Sequence, residues 1–162
     1  MNKQEIYDYL TKRKIWYEIT EHDAVWKMED LSSVPLPYPT ADAKNLFVRD
    51  DKKWNYYLIT VRGDKRVDLK AFATKHGTRK LSFVSPTDLM EKLELIPGAV
   101  SPFGILNGHA EGIQFFLDED FQKEPGLVGI HPNDNTATVW IHTEDLLSLI
   151  REMDVPAAFT QI

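Results

Sequence analysis

The stretch "LVGIHPNDNTATVWIH", residues 127–142, reads as a strand, a polar turn and a second strand. Pro132, Asn133, Asp134 and Asn135 are turn formers, and the flanking apolar residues recur with period two, so the segment is an antiparallel hairpin. A histidine, His131, closes the first strand on the same face as Gly129. Two readings of that ring are open at this point: it hydrogen-bonds its own turn, or it faces a site.

Working outward, Thr143 caps a helix in "EDLLSLIREM", with Leu146, Leu147, Ile150 and Met153 on one side. "GAVSPFGILN" (98–107) is a glycine- and proline-punctuated loop entering a strand, and "IQFFL" (113–117) is another strand. Ser85, with Pro86 at the first helical position, opens the helix "PTDLMEKLEL", which halts before Pro97. Asp68 caps another in which Leu69, Phe72, Ala73 and His76 share a face, and Gly77 supplies the stop. "KNLFV" (44–48) and "YYLITV" (56–61) are strands, the second apolar on both faces, as a covered central strand is. Asn2 and Glu5 form a capping box for a first helix ending near Lys14, and "WYEIT" (16–20) is a short strand. Three closely spaced prolines make residues 32–41 a semi-rigid loop. Helices interleaved with strands, some paired as hairpins, define a mixed-sheet α+β or α/β fold, with residues 1–162 expected to form one domain.

Composition narrows the function. The chain lacks cysteine, which removes disulfides, thiolate nucleophiles and zinc–thiolate sites and agrees with a reducing compartment. No segment approaches the roughly 20 apolar residues of a membrane span and the N-terminus has no secretory apolar run, so the expectation is a cytoplasmic protein with no membrane partner. A net charge of −6 argues against DNA and against indiscriminate phosphate binding. Residues 62–80 nevertheless carry a local excess of +5, including Lys65, Arg66 and Lys70. That run is either a solvated helix face or a nucleic-acid contact.

The five histidines have no metal-ligand spacing, and no phosphate-binding glycine loop, dinucleotide fingerprint or G-x-S-x-G elbow is present. A metal or cofactor is therefore not expected. Three features remain. Lys44 begins an otherwise apolar strand and is open to two readings, a surface lysine or an ammonium projecting into a cleft at the sheet's end. The loop from Gly98 to Pro102, with Ser101 inside it, combines close backbone approach with limited flexibility and can aim backbone N–H groups. His131 is the third.

Together, "AKNLFVRD", "VDLKAF", "KLSFVSPTDLMEKLELIPGAVSPFGILN", "FFLDE", "HPNDNTATVWI" and "DLLSLI" resemble the free-standing prolyl-tRNA editing proteins of the YbaK and prolyl-tRNA synthetase associated domain family. The blocks run in order over residues 3–152 and are most similar to the branch that removes alanine from proline tRNA. The resemblance implies a mixed, partly barrel-like sheet flanked by helices. It implies that Lys44 is the family's essential lysine, Gly98 and Pro102 its G-x-x-x-P loop, and His131 the histidine of its H-P turn. Asn45 beside the lysine, Ser101 in the loop and Asn135 after the turn are then substrate-binding residues. The implied reaction is metal-independent hydrolysis of Ala-tRNA(Pro), with Lys44 and the Gly98–Pro102 amides stabilising the ester oxygens. Implied partners are the aminoacylated acceptor end of proline tRNA, gripped through Lys65, Arg66 and Lys70, and prolyl-tRNA synthetase. Two stretches depart from the family's pattern, "NGHAEG" (107–112) and "HDAVWK" (22–27), the latter with a tryptophan near the amino-acid pocket. The amino acid thus stays open between alanine and cysteine or serine, with a non-catalytic tRNA- or synthetase-binding module as the other class.

Overall fold

A computed structural model describes residues 1–25 and 34–162. Helix α1 (Lys3–Lys12) starts at Asn2, whose side chain accepts the Glu5 N–H at 2.8 Å while the Glu5 carboxylate accepts the Asn2 N–H at 3.3 Å. This capping box satisfies two N–H groups that the first turn leaves without helical partners. The helix turns Ile6, Tyr7 and Leu10 into the core. Strand β1 (Tyr17–Glu21) follows. Strands β2 (Ala43–Asp50) and β3 (Tyr56–Arg62) form a hairpin, closed by Asp50, whose buried carboxylate accepts the N–H groups of Lys52, Trp54 and Asn55. Those three bonds, with a fourth from the Asn55 side-chain amide, hold the Asp50 carboxyl below its usual range against the effect of burial.

Helix α2 (Leu69–His76) is capped by Asp68 and stopped by Gly77 in the left-handed conformation at φ +66°. Strand β4 (Leu81–Phe83) leads to α3 (Pro86–Leu93), capped by Ser85. A 3-10 helix (Pro102–Asn107) precedes β5 (Ile113–Asp118). The chain ends with β6 (Leu127–Ile130), β7 (Ala137–His142), α4 (Thr143–Arg151) and β8 (Ala157–Thr160).

The strands form two sheets. One has the order β4-β2-β3-β5-β8, antiparallel through β4, β2 and β3 and parallel from β3 to β8; the other is antiparallel, in the order β1-β7-β6. A single parallel bridge between Asp42 and Gly129 joins them. No closed barrel exists among the described residues, because that bridge does not extend into a ladder. The main core fills the space between the sheets and helices α1, α3 and α4, with Leu58, Phe103, Phe115, Val139, Ile141 and Leu146 inside it. A second cluster, Val48, Tyr57, Ile59, Val61, Phe72 and Leu81, lies under α2 on the other face of the five-stranded sheet. Both faces of β3 are thereby covered, which is why its sequence is apolar throughout.

Several expected boundaries differ. β4 and β8 do not announce themselves: in the three residues of β4 only Leu81 is buried, too short a run to show alternation. Residues 102–107 are 3-10 helix and not the entry to a strand; Pro102 at its start presets the turn. α3 ends at Leu93, before Pro97 is reached, because Glu94 adopts a left-handed conformation at φ +55°. Thr143 is the first residue of α4, not its cap; His142 holds the cap position without a side-chain bond. Of the proline-loop reading, 32 and 33 lie outside the described residues, and Pro39–Ala41 form a 3-10 turn. Among the described residues no helix is long and apolar enough to cross a membrane.

Candidate active site

Strand alternation decides which side chains share a surface. In β2, Phe47 enters the main core while Leu46 and Val48 pack under α2. Lys44 is in register with Leu46 and Val48, opposite Val61, whereas Asn45 takes the other face. In the hairpin, Val128, Ile130, Val139 and Ile141 enter the main core, which leaves Gly129, His131, Thr138 and Trp140 on the opposite face. The Asp42–Gly129 bridge aligns these two surfaces. Lys44 and His131 occupy corresponding positions, each two residues beyond the bridge on its own chain. Two polar residues distant in sequence thus reach one surface where the sheets part.

Gly129 is required by close approach: a Cβ there would lie 2.4 Å from Cζ3 of the Trp140 ring. Trp140 is fully buried and donates its indole N–H to Thr20 Oγ1 at 2.9 Å. The indole also packs edge-on against Tyr38, whose hydroxyl donates to Glu18 at 2.8 Å. The residue that precedes His131 on this face is therefore fixed as glycine by the Trp140 ring opposite it.

His131 Nδ1 lies 2.9 Å from the Ala137 carbonyl oxygen. A carbonyl can only accept, so Nδ1 carries the proton and Nε2 of the neutral ring is left as an acceptor. Burial, with the neighbouring His22 adding to it, lowers the His131 pKa below that of ordinary histidine despite the Ala137 bond, so the ring is neutral at pH 7. The His22 ring meets it edge to face, 6.2 Å between centroids. His22 Nδ1 donates to the Asp23 carbonyl at 2.8 Å, and Nε2 lies 3.0 Å from Thr138 Oγ1, from which it accepts. The first reading of His131, a bond to its own hairpin, is what this contact shows.

The Gly98–Pro102 loop is tied to this place by Ser101. Its buried Oγ donates to the His131 carbonyl at 2.5 Å and accepts the Phe103 N–H at 3.2 Å. With its proton engaged, Ser101 is a tether and not a free nucleophile. Gly98 has φ +91°, a conformation open to glycine, and Pro102 starts the 3-10 helix. Ser101 thereby joins the loop to the His131 backbone, and Lys44 lies on β2 two residues past the Asp42–Gly129 bridge.

Other expected site residues are placed differently. Asn45 Oδ1 accepts the Thr60 hydroxyl at 2.5 Å, on the strand face opposite Lys44. Asn135 clips the segment after β1: its Nδ2 donates to the Val25 carbonyl at 3.0 Å and its own carbonyl accepts the Val25 N–H at 3.1 Å. Lys65 is engaged internally, 2.8 Å from Asp118 and 2.7 Å from Asp120, and it also donates to the Ile162 carbonyl at 3.0 Å. Burial opposes its charge, yet these bonds raise its pKa on balance. Arg66 and Lys70 are exposed. Trp26 lies outside the described residues. His22 escaped the sequence reading because its spacing to the other histidines is uninformative; the alternation Glu18, Thr20, His22 along β1 is the signal that places it on the site face. Among the described residues, no group of three His, Cys, Asp or Glu is arranged to hold a metal ion.

The family model of the aminoacyl-tRNA editing domain matches residues 22–149, and the chain belongs to that family. It is 38% identical over 149 residues to the prolyl-tRNA editing protein ProX of Acetoanaerobium sticklandii, covering 92% of this chain and 90% of that one. It is 32% identical over 138 residues to the mouse prolyl-tRNA synthetase associated domain-containing protein 1, covering 83% and 80%. A solved structure described as a candidate trans-editing enzyme for prolyl tRNA synthetase shares the fold, with TM-score 0.71 at 22% identity over 99% of this chain and 96% of that one.

Proposed function

We propose that this chain is a free-standing hydrolase that clears alanine from proline tRNA, Ala-tRNA(Pro), with water as nucleophile and without a metal. The observation that supports the reading is the Asp42–Gly129 bridge, two residues before Lys44 on one chain segment and before His131 on the other, with Ser101 tying the Gly98–Pro102 loop to the His131 backbone. The name of ProX, a prolyl-tRNA editing protein, supports the tRNA as a partner, and that of the mouse relative, a prolyl-tRNA synthetase associated domain-containing protein, supports prolyl-tRNA synthetase.

An amino acid esterified to ribose is an activated ester, so the protein need only position water and stabilise charge. The Lys44 ammonium draws density from the ester oxygens, and N–H groups of the Gly98–Pro102 loop receive the oxyanion that forms as water adds. Collapse releases alanine and returns the proton to the ribose oxygen. The neutral His131 ring offers Nε2 as an acceptor for a hydroxyl of the substrate or for the attacking water. Selectivity follows from size: a synthetase site shaped for proline gains only about 1–3 kcal/mol from the methylenes that alanine lacks, so correction requires a second, smaller site. Arg66 and Lys70 are the basic residues left to meet the acceptor stem, since Lys65 is engaged internally.

The test is deacylation of tRNA(Pro) charged in parallel with alanine, cysteine, serine and proline, with and without EDTA. Loss of alanine faster than the others, with Pro-tRNA(Pro) surviving and EDTA without effect, is expected. Preferential loss of cysteine or serine would reassign the substrate, and tRNA binding without any ester loss would make the chain a binding module.

A further inference from the structure

Asp42 is a buried carboxylate with no counter-ion among the described residues. It is 9% exposed, its backbone carbonyl accepts the Gly63 N–H at 2.9 Å, and it forms the bridge to Gly129. Its side chain accepts the Ala43 N–H. Among the described residues no Lys, Arg or His nitrogen lies within 4.0 Å of it; the nearby Arg62 guanidinium is directed to Asp64 at 3.3 Å. Asp42 lines an open cavity of about 380 Å³ with Pro39, Thr40, Arg62, Gly63 and Asp64. An anion desolvated in this way is a standing cost, and asparagine could keep both the backbone bond to Gly63 and an oxygen that accepts the Ala43 N–H. What a carboxylate adds is negative charge at the wall of that cavity, whose lining does not include Lys44, His131 or the Gly98–Pro102 loop.

That charge is placed in register with Lys44. Asp42 is extended, at φ −67° and ψ 134°, and the regular strand begins at the next residue, so Asp42 and Lys44 face the same side about 6.6 Å apart along the strand. In an aminoacyl ester a single carbon separates the α-ammonium from the ester carbonyl. A long lysine reaching the ester oxygens leaves the ammonium needing an anion a few ångströms along the same face, and a short aspartate supplies one. We propose that Asp42 is the specificity residue that receives the α-ammonium of the esterified amino acid. This rests on the reading of the junction as an ester-hydrolysing site. The site then requires a free amine, and it rejects N-blocked or α-hydroxy esters of the same size, because their neutral groups leave the buried carboxylate unpaired.

The experiment compares Ala-tRNA(Pro) with the lactyl ester made from it by deamination, which replaces the ammonium by hydroxyl and keeps the methyl. Each rate is divided by the spontaneous hydrolysis of the same ester. Wild-type protein is expected to favour the alanyl ester by about 10- to 100-fold in kcat/KM, the range of one charge-assisted hydrogen bond. Asp42→Asn is expected to lose that factor on the alanyl ester and less than about threefold on the lactyl ester. Equal wild-type rates on the two esters would overturn the proposal without recourse to any variant, as would an equal loss on both in a folded Asp42→Asn protein. If wild-type protein cleaved neither ester, the hydrolase reading would fail and this proposal with it, whereas cleavage without amine preference defeats this proposal alone.

Discussion

Replacing Asp42 by asparagine should make the protein more stable at neutral pH. Burial pushes the Asp42 carboxyl from 3.8 up to about 6, against the smaller opposing effect of its bond to the Ala43 N–H. A raised carboxylate pKa means that the folded state holds the proton more tightly than the unfolded chain. Its favourable contribution is complete below about pH 4 and is lost as pH rises through about 6. Two pKa units correspond to about 3 kcal/mol, which is the order of the penalty borne at pH 7.5 for keeping the group ionised. Asparagine has the same shape and no charge, so it escapes that penalty. Urea denaturation of both proteins at pH 7.5 and pH 4 is the assay. The variant should be more stable by about 2–3 kcal/mol at pH 7.5, with the difference shrinking toward zero at pH 4. A variant less stable than wild type at pH 7.5, or a difference independent of pH, would refute the reasoning, because it would mean that the carboxylate is favourably paired. A fold that retains a destabilising anion at the edge of its site has the trade between stability and activity expected of functional residues.

Other outcomes follow from the same geometry. Gly129→Ala drives a methyl into the Trp140 ring and should cost about 1–3 kcal/mol while weakening deacylation through the broken bridge; thermal melting and single-turnover rates check it. Lys65→Met leaves the fully buried Asp118 without its cation and should destabilise by about 2–3 kcal/mol, yet leave tRNA affinity of the folded protein unchanged. Arg66→Glu with Lys70→Glu should do the opposite, weakening tRNA binding and flattening its salt dependence without altering the urea midpoint, as filter binding at several salt concentrations would show. His131→Ala should lower kcat/KM for Ala-tRNA(Pro), since it removes the only ring acceptor that faces the Lys44 surface from the hairpin turn; unchanged kinetics would confine His131 to its bond with Ala137.

The elements with strong local signals were legible in the amino-acid sequence, and those defined by pairing were not. Asn2 with Glu5, Asp68 with Gly77, and Ser85 with Pro86 each carry helix-end chemistry in a few adjacent residues, and each is found as such. β4 and β8 exist because neighbouring strands offer them partners, and neither shows an alternating apolar pattern of its own. The site divides in the same way. Lys44, Gly98, Ser101, Pro102 and His131 stand out by residue type and by resemblance, but the Asp42–Gly129 bridge and the Ser101–His131 bond that relate their segments are long-range pairings that no spacing encodes. His22 and Asp42 are visible only after that bridge aligns the strand faces. Lys65 shows the reverse error: a basic run read as one surface contains a lysine held between two carboxylates, because Asp118 and Asp120 lie far from it in the chain.

The central claim is that the Lys44 ammonium at this junction drives ester cleavage. Single-turnover release of alanine from Ala-tRNA(Pro) by wild-type and Lys44→Ala proteins with matching melting curves tests it most directly. The account predicts rapid release by the wild type and release at the spontaneous rate by the variant; release by Lys44→Ala at the wild-type rate would contradict it.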